Sequence, residues 1–306
     1  MSKLSVIIPS RNEIFLKKTV EDLLAKAEGE IEVIAVLDGY WPTPPLNDDN
    51  RLIILHRGDA MGMRAAINGG AAIAKGEYLM KCDAHCMFEQ GFDEKLKADI
   101  EDNWIVIPRR YRLDAENWRF TDDPKPPIDL HYLACPITNP DNYSMHGAIW
   151  PHKDRERVDT LIDETMSFQG SCWIMKKTWF TDFLHGMSEI GYGDYCQEPQ
   201  EIGNKTWLGG GKIMVNKKVW YAHLHKGKKY GRGYFQNRQD IMSGHEWGAR
   251  HWMKDEEPGL IHRFEWLVEK FWPVPTWPED WKDYRDEWRG DRYEYHYDKL
   301  RLKPEK

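Results

Sequence analysis

"LSVIIPSRNEIFLKKTVEDLLAKAEGEIEVIAVLDG", residues 4–39, contains the pattern that decides the fold. Two short apolar runs, at 4–9 and 32–38, flank a segment in which apolar side chains recur with helical spacing. Continuous apolar runs are typical of strands that are covered on both faces. A strand–helix–strand unit of this kind places its strands parallel through a right-handed crossover. The stretch therefore predicts the beginning of an α/β protein with a parallel sheet.

The same alternation continues to residue 83. Further strands are predicted at 51–56 and 77–83, and residues 61–76 are predicted to form a helix rich in small residues that ends by Gly76. Ligands of such sheets bind at the carboxyl ends of the strands. Three polar clusters follow predicted strands, namely "PSRNE" (9–13), "DGYW" (38–41) and "DAHC" (83–86). We expect them to meet at one edge of the sheet.

Asp83 and His85 are candidate metal ligands. Residues i and i+2 of an extended segment point to the same side, so both side chains can reach one ion. A carboxylate and an imidazole, with room for phosphate oxygens, suit Mn²⁺ and, less well, Mg²⁺. The alternatives are a simple polar turn and a zinc site made by Cys82, His85 and Cys86. The cysteine spacing does not favour zinc, because the five cysteines are scattered without CxxC pairs and are expected to be free, buried thiols.

Composition excludes several classes of protein. The 306 residues carry a net charge of -7 with both signs mixed, which gives no general attraction to nucleic acid or anionic membranes. The first apolar run is too short for the core of a signal peptide, and no later run approaches membrane-spanning length. We therefore expect a soluble, cytoplasmic protein with no transmembrane segment.

The second half of the chain is less regular. Periodicity fades between about 109 and 165, where Pro, Asp and aromatic residues predict a long irregular insertion. A helix is predicted within 198–212 and a strand at 217–225, followed at 225–237 by a loop of basic residues, glycines and aromatics. The last fifty residues are rich in Trp and Tyr and are predicted to pack through their aromatic rings.

Together these motifs resemble a known family. "SVIIPSRNE", "VIAVLDG" and "MGMRAAINGGAAIAKGEYLMKCDAHC" resemble, in this order, the nucleotide-sugar-binding half of GT-A glycosyltransferases of the family 2 type. The Asp-x-His motif is similar to that of the polypeptide N-acetylgalactosaminyltransferases. "YCQEPQEIGNKTWLGGGKIMVNKKVWYAHLHK" resembles that family's Gly-Glu-Asn-x-Glu segment, the Trp and Gly-Gly that follow it, and a later metal-ligand histidine. The resemblance covers about residues 3–110 and 167–237.

The resemblance implies a GT-A fold, a Rossmann-like, mostly parallel sheet flanked by helices, over residues 1–250. Residues 1–108 would form the nucleotide-binding half, 109–165 the irregular insertion, and 166–250 the acceptor and metal half with a lid loop. Residues 251–306 would form an aromatic-rich, helical C-terminal appendage.

Binding roles are carried over from the family in the same way. Asp83, His85 and His223 would bind the metal, with His225 as the alternative third ligand. The nucleotide and its diphosphate would be contacted by Pro9, Arg11, Glu13, Asp38, Arg64, Lys226, Lys228, Lys229 and Arg232. The last four belong to the lid loop, with Gly227, Gly231 and Gly233 as hinges. The competing interpretations are an Asx turn for Asp38, a solvated helix residue for Arg64, and a solvated basic loop for the lid.

The chain departs from the pattern of inverting family 2 enzymes at a position that bears on catalysis. Inverting family 2 enzymes carry Glu-Asp at the start of the later helix, where the aspartate is the general base. This chain has Glu198-Pro199 there, and the retaining N-acetylgalactosaminyltransferases also lack that aspartate. The resemblance therefore favours retention, with Glu198 and Glu201 orienting the sugar or the acceptor and Asp194 as a displaced candidate base.

The resulting hypothesis is a glycosyltransferase that uses Mn²⁺ or Mg²⁺ and a nucleotide sugar, most naturally a UDP-sugar. Its hydroxyl acceptor would be a glycan, a protein, a lipid-linked sugar or a hydroxymethylated DNA base. The alternatives are a non-catalytic sugar-nucleotide or glycan-binding protein with the same fold, and a zinc hydrolase.

Overall fold

The computed structural model describes residues 3–122, 125–136, 144–193 and 195–283. Its strands are β1 (Leu4–Ser10), β2 (Ile31–Asp38), β3 (Leu52–Arg57), β4 (Tyr78–Cys82), β5 (Cys86–Phe88), β6 (Trp104–Asp114), β7 (Arg119–Thr121), β8 (His131–Leu133), β9 (Gly147–Ile149), β10 (Ile162–Glu164), β11 (Cys172–Lys176) and β12 (Lys212–His223). Its helices are α1 (Leu16–Lys26), α2 (Met63–Ile73), α3 (Phe92–Ala98), α4 (Pro151–Glu156), α5 (Glu198–Leu208), α6 (Gly227–Tyr230), α7 (Arg238–Met253) and α8 (Phe264–Phe271), with a π-helical segment at Trp179–Phe183.

A large mixed sheet organises the molecule. Its strand order is β10-β12-β6-β11-β4-β1-β2-β3, with β5 paired to β12 and β7 paired to β6. The run β4-β1-β2-β3 is parallel, β11 is antiparallel to both of its neighbours, and β6 is parallel to β12. Strands β8 and β9 form a separate two-stranded sheet. The mostly parallel α/β sheet predicted from the sequence is confirmed.

Helices α1 and α2 cover the parallel half of this sheet as their apolar spacing predicts. Leu16, Val20 and Leu23 form the buried stripe of α1. Small residues let α2 approach the sheet closely, since a Cβ added at Gly70 would lie 2.7 Å from Cγ2 of Ile7. The parallel pairing of β1 with β2 and β4 places the polar ends of these strands at one edge of the sheet.

The segment 109–165, predicted to be an irregular insertion, contains several short elements of regular structure. Strand β6 continues through the boundary placed at 108/109, and the segment also contributes β7 to β10 and α4. Strands β7 to β10 are each only three residues long. Such short elements leave no detectable hydrophobic period.

The C-terminal segment is part of the main core over the residues that the structure describes. Helix α7 crosses the boundary placed at 250/251, and Phe264, Trp277 and Trp281 are buried in the same apolar cluster as Ile7 and Trp173. The indole Nε1 of Trp277 donates to the carbonyl oxygen of Leu133 at 2.7 Å. The rest of the predicted appendage, 284–306, lies outside the described residues.

No helix within the described ranges has both the length and the apolar character needed to cross a membrane.

Candidate functional site

Three side chains from distant parts of the chain form a candidate metal centre. Asp83 follows β4, His85 precedes β5, and His223 ends β12, which pairs with β5 so that His223 lies opposite Cys86. Nε2 of His223 is 3.2 Å from Oδ2 of Asp83 and 3.1 Å from Nε2 of His85. Nε2 of His85 is 3.8 Å from Oδ2 of Asp83. In the part of the chain that the structure describes, this is the one such cluster of ligand atoms.

This donor set fits a divalent cation. Neighbouring ligands in an octahedron with bonds of ~2.1 Å are about 3.0 Å apart, close to the two shortest distances observed here. Burial lowers the pKa of His223 to about 3, so its imidazole is neutral and able to bind a metal. Burial alone would raise the pKa of Asp83, but Lys81 and the two histidines hold it well below its ordinary value. Mn²⁺ and Mg²⁺ both accept such ligands.

The alternative ligands lie outside the cluster. The ring of His225 is 5.1 Å from that of His223, and burial lowers the pKa of His225 to about 4. Cys82 and Cys86 are buried free thiols whose pKa values are raised by burial, which disfavours the thiolate that zinc requires. The prediction of free, buried cysteines is confirmed, and the alternative of a zinc site at Cys82, His85 and Cys86 gains no support.

Lys81 lies directly beneath the metal cluster. Its buried Nζ donates to Oδ1 of Asp83 at 2.8 Å, to Oε2 of Glu198 at 3.0 Å, and to the carbonyl oxygen of Gly170. Trp173 donates from Nε1 to Oε1 of Glu198 at 2.6 Å. Both carboxylate oxygens of Glu198 are therefore engaged in the interior. Lys81 in turn fixes Asp83 so that its other oxygen, Oδ2, faces the histidines.

Glu13 connects the metal cluster to the lid loop. Its Oε2 is 3.4 Å from Nδ1 of His85, and its Oε1 accepts a hydrogen bond from Nζ of Lys226. Burial would raise the pKa of Glu13, but His85 and Lys226 together hold it below its ordinary value. A carboxylate on the far nitrogen of a metal-binding imidazole fixes its tautomer and orientation.

A cavity of about 670 Å³ opens above the cluster. Its walls include the predicted nucleotide residues Pro9, Arg11, Glu13 and Asp38 and the predicted lid residues Lys226 and Arg232. Asp38 accepts hydrogen bonds from the backbone N–H groups of Met61 and Gly62 at 2.8 and 2.9 Å, which ties the end of β2 to the start of α2. Most of the predicted binding residues thus surround one space.

Arg64 and Glu201 are placed elsewhere, and this corrects the sequence-based prediction for both. Their side chains form an ion pair with 1% and 0% exposure, and neither lines the cavity. The guanidinium also donates to the carbonyl oxygen of Cys196 and lies 4.1 Å from the ring centre of Tyr192. Arg64 therefore joins α2 to α5 inside the protein instead of facing the diphosphate, and Glu201 is not available to a sugar.

The lid loop rests on the first nucleotide loop. Nδ2 of Asn12 donates to the carbonyl oxygen of Gly233 at 2.6 Å, and the guanidinium of Arg11 lies 5.1 Å from the ring centre of Tyr234. Lys229 is exposed and pairs with Glu116, so it is not part of the cavity wall. Asp194, the candidate displaced base, lies outside the described residues.

Two residues of the site, Lys81 and Gln169, were not predicted from the sequence. Lys81 could have been found, because the alternation rule that pairs Asp83 with His85 also places Lys81 on the side of Asp83. Gln169, which lines the cavity next to the metal cluster, carries no sequence signal that we can identify.

Comparison with known proteins places the chain among glycosyltransferases. The family model for glycosyl transferase family 2 matches residues 5–184. "Putative polypeptide N-acetylgalactosaminyltransferase 13" of Drosophila melanogaster is 24% identical over 241 residues, covering 70% of this chain and 40% of the relative. Glycosyltransferase GlyG of Streptococcus pneumoniae serotype 4 is 31% identical over 130 residues, covering 39% of this chain and 43% of the relative. The chain thus spans less than half the length of either relative.

Solved structures share the fold. The crystal structure of GalNAc-T7 with UDP, GalNAc and Mn²⁺ has a TM-score of 0.64 at 16% identity, covering 89% of this chain and 56% of that chain. The structure of S. aureus TarS 1–349 in complex with UDP-GlcNAc has a TM-score of 0.50 at 14% identity, covering 97% and 73%. The family match extends over more than half of the chain, and the fold matches that of the GalNAc-T7 structure over 89% of this chain. This protein is a member of glycosyl transferase family 2 with a GT-A fold.

Proposed function

We propose that this protein is a metal-dependent glycosyltransferase that moves a sugar from a UDP-sugar to a hydroxyl acceptor with retention of configuration. The observation that carries the proposal is the convergence of Asp83, His85 and His223 below a cavity lined by Asp38 and Arg11. The relatives named above support the choice of donor, since one structure contains UDP with Mn²⁺ and another contains UDP-GlcNAc.

The residues of the cavity suit the charges that develop during such a transfer. Cleavage of the bond between the anomeric carbon and the diphosphate leaves negative charge on the phosphate and positive charge on the sugar. A divalent cation held by Asp83, His85 and His223 would supply electrostatic stabilisation of the leaving diphosphate. Lys226 and Arg232 bring two further positive charges to the same cavity. The lid that carries them would also keep water away from the reacting bond.

Retention is proposed from the position of Glu198. Pro199 occupies the position where inverting relatives are expected to have their base, and the carboxylate of Glu198, one residue earlier, faces Lys81 and Trp173. This carboxylate is not placed to take a proton from an acceptor hydroxyl. An NMR spectrum of the first-formed product would test this, because an anomeric proton with inverted configuration would overturn retention.

Binding of UDP measured by calorimetry with and without Mn²⁺ tests the proposal as a whole. We expect Mn²⁺ to increase UDP affinity at least tenfold and Asp83→Ala to abolish that increase. Asp59→Ala serves as a matched control, because Asp59 is an exposed aspartate that does not line the cavity. No UDP affinity with any divalent metal would overturn the proposal.

Incubation with a panel of nucleotide sugars and Mn²⁺ then tests turnover, and we expect slow release of UDP from one donor. Offering that donor with candidate glycan, protein, lipid-linked sugar and modified-DNA hydroxyls would identify the acceptor. Metal-dependent UDP binding without turnover of any donor would instead favour a non-catalytic sugar-nucleotide-binding protein, an outcome with which the buried Glu198 is compatible.

A further inference from the structure

Gln169 is held by its carbonyl oxygen in one orientation. Oε1 accepts hydrogen bonds from Nη1 of Arg110 at 2.8 Å, from the backbone N–H of Ser171 at 3.3 Å, and from the hydroxyl of Ser171. The guanidinium and the backbone N–H can only donate, so the atom that they share must be the oxygen of the carboxamide. If the carboxamide were flipped, its N–H₂ group would face the N–H donors of Arg110 and Ser171, so the orientation is fixed.

The groups that hold Gln169 are themselves buried. Arg110 is 4% exposed and Ser171 is 0% exposed. The hydroxyl of Tyr221 lies 2.7 Å from Oγ of Ser171, and because Ser171 donates to Gln169, Tyr221 is the donor in this contact. A fixed interior network thus ends at the carbonyl oxygen of one side chain in the cavity wall.

The other end of this side chain is the amide nitrogen Nε2, a hydrogen-bond donor. Among the described residues, none accepts a hydrogen bond from Nε2 of Gln169, and the residue lines the cavity beside Asp83, His85 and His223. An amide N–H₂ offers two hydrogens and no lone pair for a cation, so it suits an oxygen acceptor of a ligand.

Strand order indicates which part of the ligand reaches Gln169. Along the binding edge, the end of β2 carries Asp38, the end of β1 carries Pro9, and the end of β4 is followed by Asp83. Gln169 precedes β11, on the side of β4 away from β1, and the pairing of Cys172 with Cys82 brings it to the same edge. A nucleoside near Asp38 and a diphosphate near Asp83 would leave the sugar next to Gln169.

We propose that Gln169 is a specificity-determining residue that donates a hydrogen bond to an oxygen of the donor sugar. This inference rests on the proposed function and extends it to the recognition of the transferred group. Sites that hydrogen-bond a substrate group discriminate strongly against ligands that lack it, because their own polar group is then left unpaired.

The test compares affinity for a whole donor with affinity for UDP alone. Wild type, Gln169→Met and Gln169→Glu are titrated by calorimetry with UDP, UDP-GlcNAc, UDP-GalNAc and UDP-glucose in the presence of Mn²⁺. Methionine removes the hydrogen-bond donor of the side chain without adding charge. Glutamate keeps an oxygen that accepts from Arg110 but presents a carboxylate oxygen, instead of an N–H group, to the cavity. Dividing the affinity for each nucleotide sugar by the affinity for UDP cancels any general effect of either substitution on metal or diphosphate binding. Gln90→Glu, at an exposed glutamine outside the cavity, is the matched control.

We expect the ratio of donor affinity to UDP affinity to fall about tenfold for the preferred donor in both variants, the order of one lost hydrogen bond. A fall restricted to the N-acetylated donors would assign the acetamido carbonyl as the partner, and a fall that includes UDP-glucose would assign a hydroxyl. An unchanged ratio in both variants, with UDP still bound, would overturn the role of Gln169 while leaving the proposed function intact. Failure of the wild type to bind UDP would overturn both.

Discussion

Nε2 of His223 lies 3.2 Å from Oδ2 of Asp83, although the two residues are 140 positions apart in the chain. The contact exists because β5, which follows His85, pairs with the last three residues of the long strand β12. Strand pairing across the sheet therefore builds the candidate metal centre, and the centre requires the complete fold.

Substitution of His223 by alanine should reduce the Mn²⁺-dependent part of UDP affinity at least tenfold, because one of three protein ligands is removed. The same substitution at His225, whose ring lies outside the cluster, should have a clearly smaller effect. Calorimetric titration of both variants with UDP and Mn²⁺ distinguishes them. Equal losses would show that the third ligand has been assigned to the wrong histidine.

Glu13→Gln should weaken Mn²⁺ binding about tenfold, because it removes the negative charge that faces Nδ1 of His85. Free Mn²⁺ can be counted by electron paramagnetic resonance with and without UDP. Lys226→Met is the companion variant, since it removes the other partner of Glu13 and leaves the contact with His85 in place. Equal weakening by both variants would show that Glu13 acts through Lys226 and the lid, and unchanged Mn²⁺ binding in Glu13→Gln would contradict the prediction.

Lys81→Met should lower the free energy of unfolding by about 3–5 kcal/mol, the usual result of removing one partner of a buried ion pair. The change leaves Glu198, which is 2% exposed, without its cation. The double variant Lys81→Met/Glu198→Gln should recover part of the loss. Lys95→Met, at an exposed lysine paired with Glu89, is the control and should change stability by less than about 1 kcal/mol. Urea unfolding of the four proteins gives the comparison, and equal stability of all four would contradict the prediction.

Asp154 should make stability depend on pH. Burial, with help from nearby Asp129, raises the pKa of its carboxyl from 3.8 to about 6 in the folded protein. The stabilising contribution of the protonated form is fully present below 3.8 and is lost as the pH rises through about 6. Asp154→Asn keeps an oxygen to accept the backbone N–H of Leu130, a 2.7 Å contact, but does not titrate.

The asparagine variant should therefore lose less stability than the wild type between about pH 4 and pH 6. Chemical unfolding at several pH values within this window measures the difference. Parallel curves for the two proteins would show that Asp154 does not control this dependence.

Local patterns were sufficient to predict the parallel half of the fold. Each of β1, β2 and β4 is a short apolar run buried on both faces, and the polar residue after each run necessarily falls at the ligand-binding edge. The metal ligands Asp83 and His85 follow from alternation along one extended segment. His223 required the family resemblance, because nothing local indicates that β12 pairs with β5.

Other features depend on packing that a linear pattern does not encode. Arg64 lies on a helix with both a buried and an exposed face, and only the position of α5 determines that it meets Glu201. The direction of the Glu198 carboxylate depends in the same way on Lys81, which reaches α5 from strand β4. The tryptophans near the C-terminus were predicted to pack by their rings, but their partner, the central core, is visible only in the assembled molecule.

The bond from Trp277 to the carbonyl oxygen of Leu133 has a practical meaning for anyone who expresses this protein. A fragment cut at residue 250, the boundary predicted for the transferase domain, would remove Phe264, Trp277 and Trp281 from the core and expose the apolar side chains that they cover. Recombinant fragments intended for crystallisation or enzymology should therefore be cut no earlier than residue 283.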